Sequence, residues 1–147
     1  MIKQAIRWFE KHNKLSWTIT ILIAIFIFYI SSLTFEAKVP SLEFPFKAIT
    51  YHFVIFALLA GFLLISRIKG ERKRIDLIFS VISLAILYAI SDEFHQLFVP
   101  GRCFTIADIL TDSAGVLFAT LFYSIFSFKS KDNEKEMYNE ENITEYY

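Results

Sequence analysis

Four long apolar blocks, separated by short polar stretches, dominate the pattern of this chain. They run over Leu15–Leu33, Ala48–Ser66, Ile75 to about Ile90, and Thr105–Phe128. The third reaches Val99 if the polar run that follows Ile90 stays helical. Each block approaches the ~20 residues that a helix needs to cross ~30 Å of hydrocarbon. Helices fit because every backbone polar group in lipid must bond within its own segment. The pattern therefore predicts an all-α, polytopic membrane protein: a four-transmembrane-helix bundle, residues 15–128, with short loops. The first block is longer than the ~7–15 apolar residues of a signal peptide, and no A-x-A cleavage site follows it, so it reads as a retained span.

Polar segments flank this unit. In residues 1–14, Ile2, Ala5, Ile6 and Phe9 share one helical face, with Lys3, Arg7, Glu10 and Lys11 mostly opposite. That suits a short amphipathic helix on the membrane surface; a polar leader that merely sets topology fits equally. Residues 129–147 are acidic and mostly polar, which predicts a disordered, solvated tail.

Composition sharpens the picture. Hydrophobic residues make up 55% of the 147, and Phe alone occurs 17 times, too apolar for an ordinary soluble domain of this length. The zero net charge conceals segregation. Lys3, Arg7, Lys11 and Lys14 precede the first span; Arg67, Lys69, Arg72, Lys73 and Arg74 fill the second loop; Lys129, Lys131 and Lys135 follow the fourth span. The other two loops hold only Lys38, Lys47 and Arg102. Positive loops stay inside, so both termini are expected in the cytoplasm, with the chain in the plasma membrane and the third loop outside. Trp8 and Trp17 would then flank the inner interface. No basic patch interleaved with exposed aromatics points to nucleic acid. Cys103 is the single cysteine, which excludes an intrachain disulfide and a cysteine metal cluster.

The chemistry concentrates in Ser91–Asp112, SDEFHQLFVPGRCFTIADILTD. Ionisable side chains this close to a bilayer are expensive and usually face a bundle interior or a water-filled cavity. At ~1.5 Å per residue, Ser31, His52, Asp92 and Asp112 all lie roughly 22–26 Å above the inner ends of their spans, in one layer below the outer hydrocarbon edge. Tyr88, Asp92 and His95 or Gln96 share a face of the third helix; Asp108, Asp112, Gly115 and Ala119 share one on the fourth. The second stripe is acidic above and small below, so it should point into the bundle. Val99-Pro100-Gly101-Arg102 suits a type II turn, with positive φ at the glycine. Thr105 is a good N-cap with Asp108 at N3. The turn would bring Arg102 over the carboxylates. The expected constellation is Asp92, His95, Arg102 and Asp108, supported by Glu93, Gln96, His52 and Asp112.

Several readings of that cluster remain open. It could be a hydrogen-bonded network that only joins the hairpins, since polar side chains between membrane helices are modest glue, ~0.6–2 kcal/mol each. It could be a functional pocket open to the outer face. His52, Asp92, His95, Asp108 and Asp112 include enough ligands for a divalent metal, although no spacing such as H-E-x-x-H is present. No cofactor is otherwise evident. Acid–base chemistry fits too, because crowded carboxylates resist simultaneous ionisation and His95 could exchange protons with them. No nucleophile stands out, Ser91 and Ser113 being ordinary small helix residues. A proton-coupled carrier ranks last, because no polar relay reaches the inner face.

DEFHQLFVPGR followed by ADILTDSAG resembles the signature of VanZ-like membrane proteins: an acidic pair, a His-Gln, a Pro-Gly-Arg turn, then an Asp and a small-residue helix. Ser31-Ser32 at the end of the first span and His52 in YHFVIFALLAG extend the resemblance, which covers roughly Ile25 to Ala119. Asp112 stands where the pattern leads us to expect asparagine and adds a carboxylate. The lysine-rich lead-in to the histidine is present only as Lys47. The resemblance implies a small polytopic protein of the cell envelope, linked through the family's founding member to low-level resistance to teicoplanin, a lipid-tailed glycopeptide. Expected partners are the lipid bilayer and a lipid-linked cell-wall precursor or lipoglycopeptide. The rival expectation is a membrane enzyme that hydrolyses, or transfers a group from, a lipid-anchored substrate, with a carboxylate or His95 as base and Arg102 holding an anionic group.

Overall fold

The structure, a computed structural model, describes residues 1–34, 43–68 and 75–144, with side chains described over 1–34, 46–68 and 75–127. Five helices follow in order: α1 (Ile2–Lys11), α2 (Asn13–Ser31), α3 (Glu43–Ile68), α4 (Ile75–Gln96) and α5 (Ile106–Thr144). Among the described residues there is no strand. Four segments, Asn13–Ser31, Phe46–Ile68, Ile75–Gln96 and Ile106–Ser127, are long and apolar enough to cross a membrane. The all-helical, four-span expectation therefore holds, with ends moved by a few residues. Of the basic loop residues that set the expected orientation, Lys38, Lys69, Arg72, Lys73 and Arg74 lie outside the described residues, as do the side chains of Lys129, Lys131 and Lys135.

Two local outcomes differ from or decide between expectations. Polarity predicts a disordered tail after Phe128, yet the backbone of α5 stays helical to Thr144. Residues 129–144 contain neither Gly nor Pro and are rich in good helix formers. The span has already nucleated the helix, so each further residue only propagates it. At the other terminus, α1 is a helix rather than a featureless leader. It stops at His12 (φ −95°, ψ 53°). Ser16 Oγ donates to Phe9 O at 2.7 Å, satisfying a carbonyl left over at its end. Phe9 meets Phe62 edge-on at 5.4 Å, and Tyr123 donates to Glu10 at 2.7 Å. Ile2 and Trp8 remain exposed. The apolar side of α1 is thus shared between the bundle and the surroundings.

Within the bundle, α3 contacts each of the other spans and packs most extensively on α5; the backbones of α2 and α5 do not approach each other among the described residues. Gly115 explains the α3–α5 closeness. A Cβ there would lie 2.3 Å from Phe53 O and 3.2 Å from Ala57 N, so only glycine lets these backbones meet. The interior is filled around Ile27, Phe56, Leu59, Ala60, Ala85, Ala89, Val116 and Ala119. A second cluster, Leu63, Leu64, Ile68, Val81 and Tyr123, closes the end that carries both termini. Large apolar side chains such as Leu22, Phe79, Leu87 and Leu121 cover the outside, as lipid contact requires. The α4–α5 turn marks the opposite end.

Candidate functional site

At the turn end, each span contributes polar side chains. Helix α4 stays regular through Gln96, so Asp92, Glu93, His95 and Gln96 are carried on a rigid element. Ala85, Ala89 and Glu93 follow one another at intervals of four, and all three are buried. After the helix, Arg102 N–H donates to Val99 O at 3.1 Å, with Gly101 at φ 81°: a type II turn with Pro100 at its first central position. Thr105 Oγ1 then accepts from Asp108 N–H at 3.1 Å and caps α5. The N–H of Thr105 itself donates to Glu93 Oε2 at 3.0 Å, tying the loop back to α4.

One half of the layer joins α2 to α4. Ser31 Oγ donates to Asp92 Oδ2 at 2.7 Å, and Gln96 Nε2 donates to the same oxygen at 3.2 Å. Ser32 Oγ and His95 Nε2 lie 3.0 Å apart, and the His95 ring stacks on Phe28 at 4.6 Å. Tyr88 Oη donates to Ala24 O at 2.6 Å. Arg102 reaches across to the end of α2, donating to Ile30 O at 2.7 Å and Leu33 O at 3.3 Å. Ile30 O, which also accepts from the Leu33 N–H at 3.2 Å, lies at the negative end of the α2 dipole, so a guanidinium is well placed there.

The other half joins α3 to α5. His52 Nδ1 and Asp112 Oδ1 lie 3.0 Å apart. Glu93 completes a trio: one ligand atom each from His52, Glu93 and Asp112 lie within 4.8 Å of one another, and all three residues are buried. Gln96 links the halves, donating to Glu93 Oε1 at 3.0 Å as well as to Asp92. Glu93 and Asp112 are both 0% exposed. Asp92 Oδ1, Asp112 Oδ2 and Tyr51 Oη are buried without a hydrogen-bond partner. An unsatisfied buried carboxylate oxygen is costly in an apolar medium. Such a layer can accept hydrogen bonds from a ligand, hold a cation, or exchange a proton through the His52–Asp112 pair.

The sequence-predicted residues thus divide into groups. Asp92, His95 and Gln96 work on the α2 side; His52 and Asp112 meet on the α5 side; Asp108 sits half-buried in the capping turn of α5. Glu93, ranked as supporting from sequence, is the carboxylate nearest the His52–Asp112 pair. The alanines at 85 and 89 were the signal, since a small-residue stripe marks the face turned to a neighbour. Tyr51 escaped notice. Its ring packs edge-on to His52 at 5.6 Å, within electrostatic reach of Asp92 and Asp112, and nothing in its local sequence distinguishes it from a lipid-facing aromatic.

Residues 16–127 match the family model described as VanZ/LLP1, which takes in all four spans and the whole polar layer. The chain belongs to the VanZ/LLP1 family. No curated protein and no solved structure matches it. In this VanZ/LLP1 protein the family match begins at Ser16, whose hydroxyl closes α1, and ends at Ser127, where the last candidate span stops. The amphipathic α1 and the polar extension of α5 lie beyond it.

Proposed function

We propose that the turn end of the bundle is an outward-facing polar pocket that engages the headgroup of a lipid-linked envelope molecule, such as a cell-wall precursor, or of a lipid-tailed glycopeptide of the teicoplanin type. The observation that carries this reading is the pairing of two environments on the same two helices. The buried His52–Asp112 pair spans α3 and α5. On the outer side of the same two helices, a cavity of about 450 Å³ is lined by their neighbours Ile49, Thr50, Phe53, Leu110, Thr111 and Ala114. A second, apolar cavity of about 370 Å³ continues past Phe53 along the same helices to Ile6 of α1. A headgroup would meet the hydroxyls of Thr50 and Thr111, one layer out from the buried pair, while its tail lay against phenylalanines and leucines, the division expected of a lipid-binding site. The family's link to teicoplanin supports the same ligand class. In this reading both termini are cytoplasmic and the protein sits in the plasma membrane.

Two experiments test it. Cys103 is exposed in the loop between α4 and α5, so a membrane-impermeant thiol reagent should label it on intact cells. Labelling that requires lysis would reverse the orientation. Deletion and overexpression should shift susceptibility to teicoplanin and leave vancomycin, which lacks a lipid tail, unaffected. Equal response to both drugs in every background would count against lipid-tail recognition.

An enzyme acting on a lipid-anchored substrate is the second reading. The His52–Asp112 pair favours it, because an imidazole oriented by a carboxylate is a recurring proton-transfer unit. Lipid profiling separates the two. A headgroup species that accumulates in a deletion strain and in Asp112→Asn means catalysis; an unchanged profile with altered drug response means binding.

A further inference from the structure

We propose that His52, Glu93 and Asp112 form a binding site for one divalent transition-metal ion of the Zn²⁺ or Mn²⁺ type, set between α3, α4 and α5. The proposal rests on the pocket described above but not on its ligand.

Geometry comes first. Donors around a tetrahedral Zn²⁺ at ~2.1 Å stand about 3.4 Å apart. The three candidate donor atoms lie within 4.8 Å of one another, and His52 Nδ1 and Asp112 Oδ1 are 3.0 Å apart. Small side-chain adjustments bring all three onto one ion. Charge points the same way. Two fully buried carboxyl groups are costly to hold ionised away from water unless a counter-charge is supplied. A divalent cation neutralises the pair.

A second observation is independent of the cluster's composition. Asp112, with no exposed surface, leaves Oδ2 without a hydrogen-bond partner. An ion would satisfy that oxygen or take Oδ1 and free it to rotate. Glu93 is already oriented by outer partners: Gln96 holds its Oε1 and the Thr105 N–H holds its Oε2. Ligands fixed by such outer hydrogen bonds are characteristic of metal sites. One nitrogen with oxygens, and no sulfur, suits Zn²⁺ or Mn²⁺ better than copper(I), and the imidazole disfavours Mg²⁺ and Ca²⁺. Three protein ligands leave at least one coordination position for an oxygen from outside the chain.

The test uses the full chain, tag-free, in detergent micelles, stripped with chelator and titrated with Mn²⁺ while the free-ion paramagnetic resonance signal is followed. One ion per chain is expected, displaced by Zn²⁺ and not by Mg²⁺ or Ca²⁺ at equal concentration. Loss of a direct ligand should exceed the ~10–100-fold effect of losing an outer partner, so Glu93→Gln and Asp112→Asn should each weaken Mn²⁺ by more than about 100-fold. His95→Gln, in the α2 half of the layer, should leave the affinity unchanged. Spin-echo modulation of bound Mn²⁺ in the unaltered chain should show coupling to a single imidazole nitrogen, a readout that does not depend on any variant folding. No stoichiometric binding by the folded chain, binding that persists in Asp112→Asn and Glu93→Gln, or bound Mn²⁺ without imidazole coupling overturns the proposal. No lipid is added, so failure here leaves the drug-susceptibility test standing, and failure there leaves the ion in place.

Discussion

The two ends of this bundle both contain buried polar side chains, and they treat them in opposite ways. At the end that carries the termini, the buried groups are neutral. Ser66 Oγ donates to Phe62 O at 2.7 Å and Thr20 Oγ1 to Ser16 O at 2.9 Å, and the two hydroxyls lie 3.3 Å apart. Asn13 Nδ2 reaches Ser66 O at 3.3 Å. The carboxylates there are not buried: Glu10 is half-exposed and Asp76 exposed. At the turn end, three carboxyl groups, Asp92, Glu93 and Asp112, are buried together. Hydroxyls bonded to their own helix join helices at little penalty. A layer of carboxylates does not arise from that need.

Mutations can break this distinction. The largest effect should come from His52→Ala, which leaves the buried Asp112 carboxyl without its imidazole, a loss of about 3 kcal/mol for a buried group left unpaired. Replacing both partners with leucine should be near neutral or stabilising, because the pair's desolvation penalty disappears with it. Unfolding in mixed detergent micelles measures both. If the double variant is as unstable as His52→Ala, the turn end is glue after all.

Gly115→Ala comes next. The new Cβ would collide with Phe53 O, and the overpacking should cost about 1–3 kcal/mol in the same assay. It also pushes α3 from α5 and so spreads His52 from Asp112. Thr105→Ala, which removes the cap of α5, should cost about 1 kcal/mol. Ser66→Ala, at the terminal end, should cost least, about 0.6 kcal/mol. A Ser66→Ala penalty that matched His52→Ala would erase the difference between the ends.

Much of this arrangement is legible in the sequence because a membrane leaves few choices. Runs near twenty apolar residues must be helices, and polar groups at equal heights on neighbouring helices share one layer. The Pro100-Gly101 turn follows from its two residue types, and the cap at Thr105 from its place before an apolar stretch. Partnership within the layer is harder to read. Asp92 and Glu93 differ by 100° of rotation, and that rotation decides which faces Ser31 and which faces His52. The destination of Arg102 was equally hidden. Its guanidinium bonds carbonyls at the end of α2, a partnership that depends on α2 stopping at Ser31 beside the loop. The helical course of residues 129–144 is a propensity effect that net polarity masks.

The bond from the Thr105 N–H to Glu93 has a use of its own. It fastens the first residue of the α5 cap to a side chain in the middle of the layer, so the loop cannot reorganise without that carboxylate letting go, and the carboxylate cannot turn elsewhere without loosening the loop. Cys103 lies two residues before this latch and is exposed. The molecule therefore comes with a natural attachment point for an environment-sensitive dye. Its emission would report, from outside the bilayer, each time Glu93 changes partner.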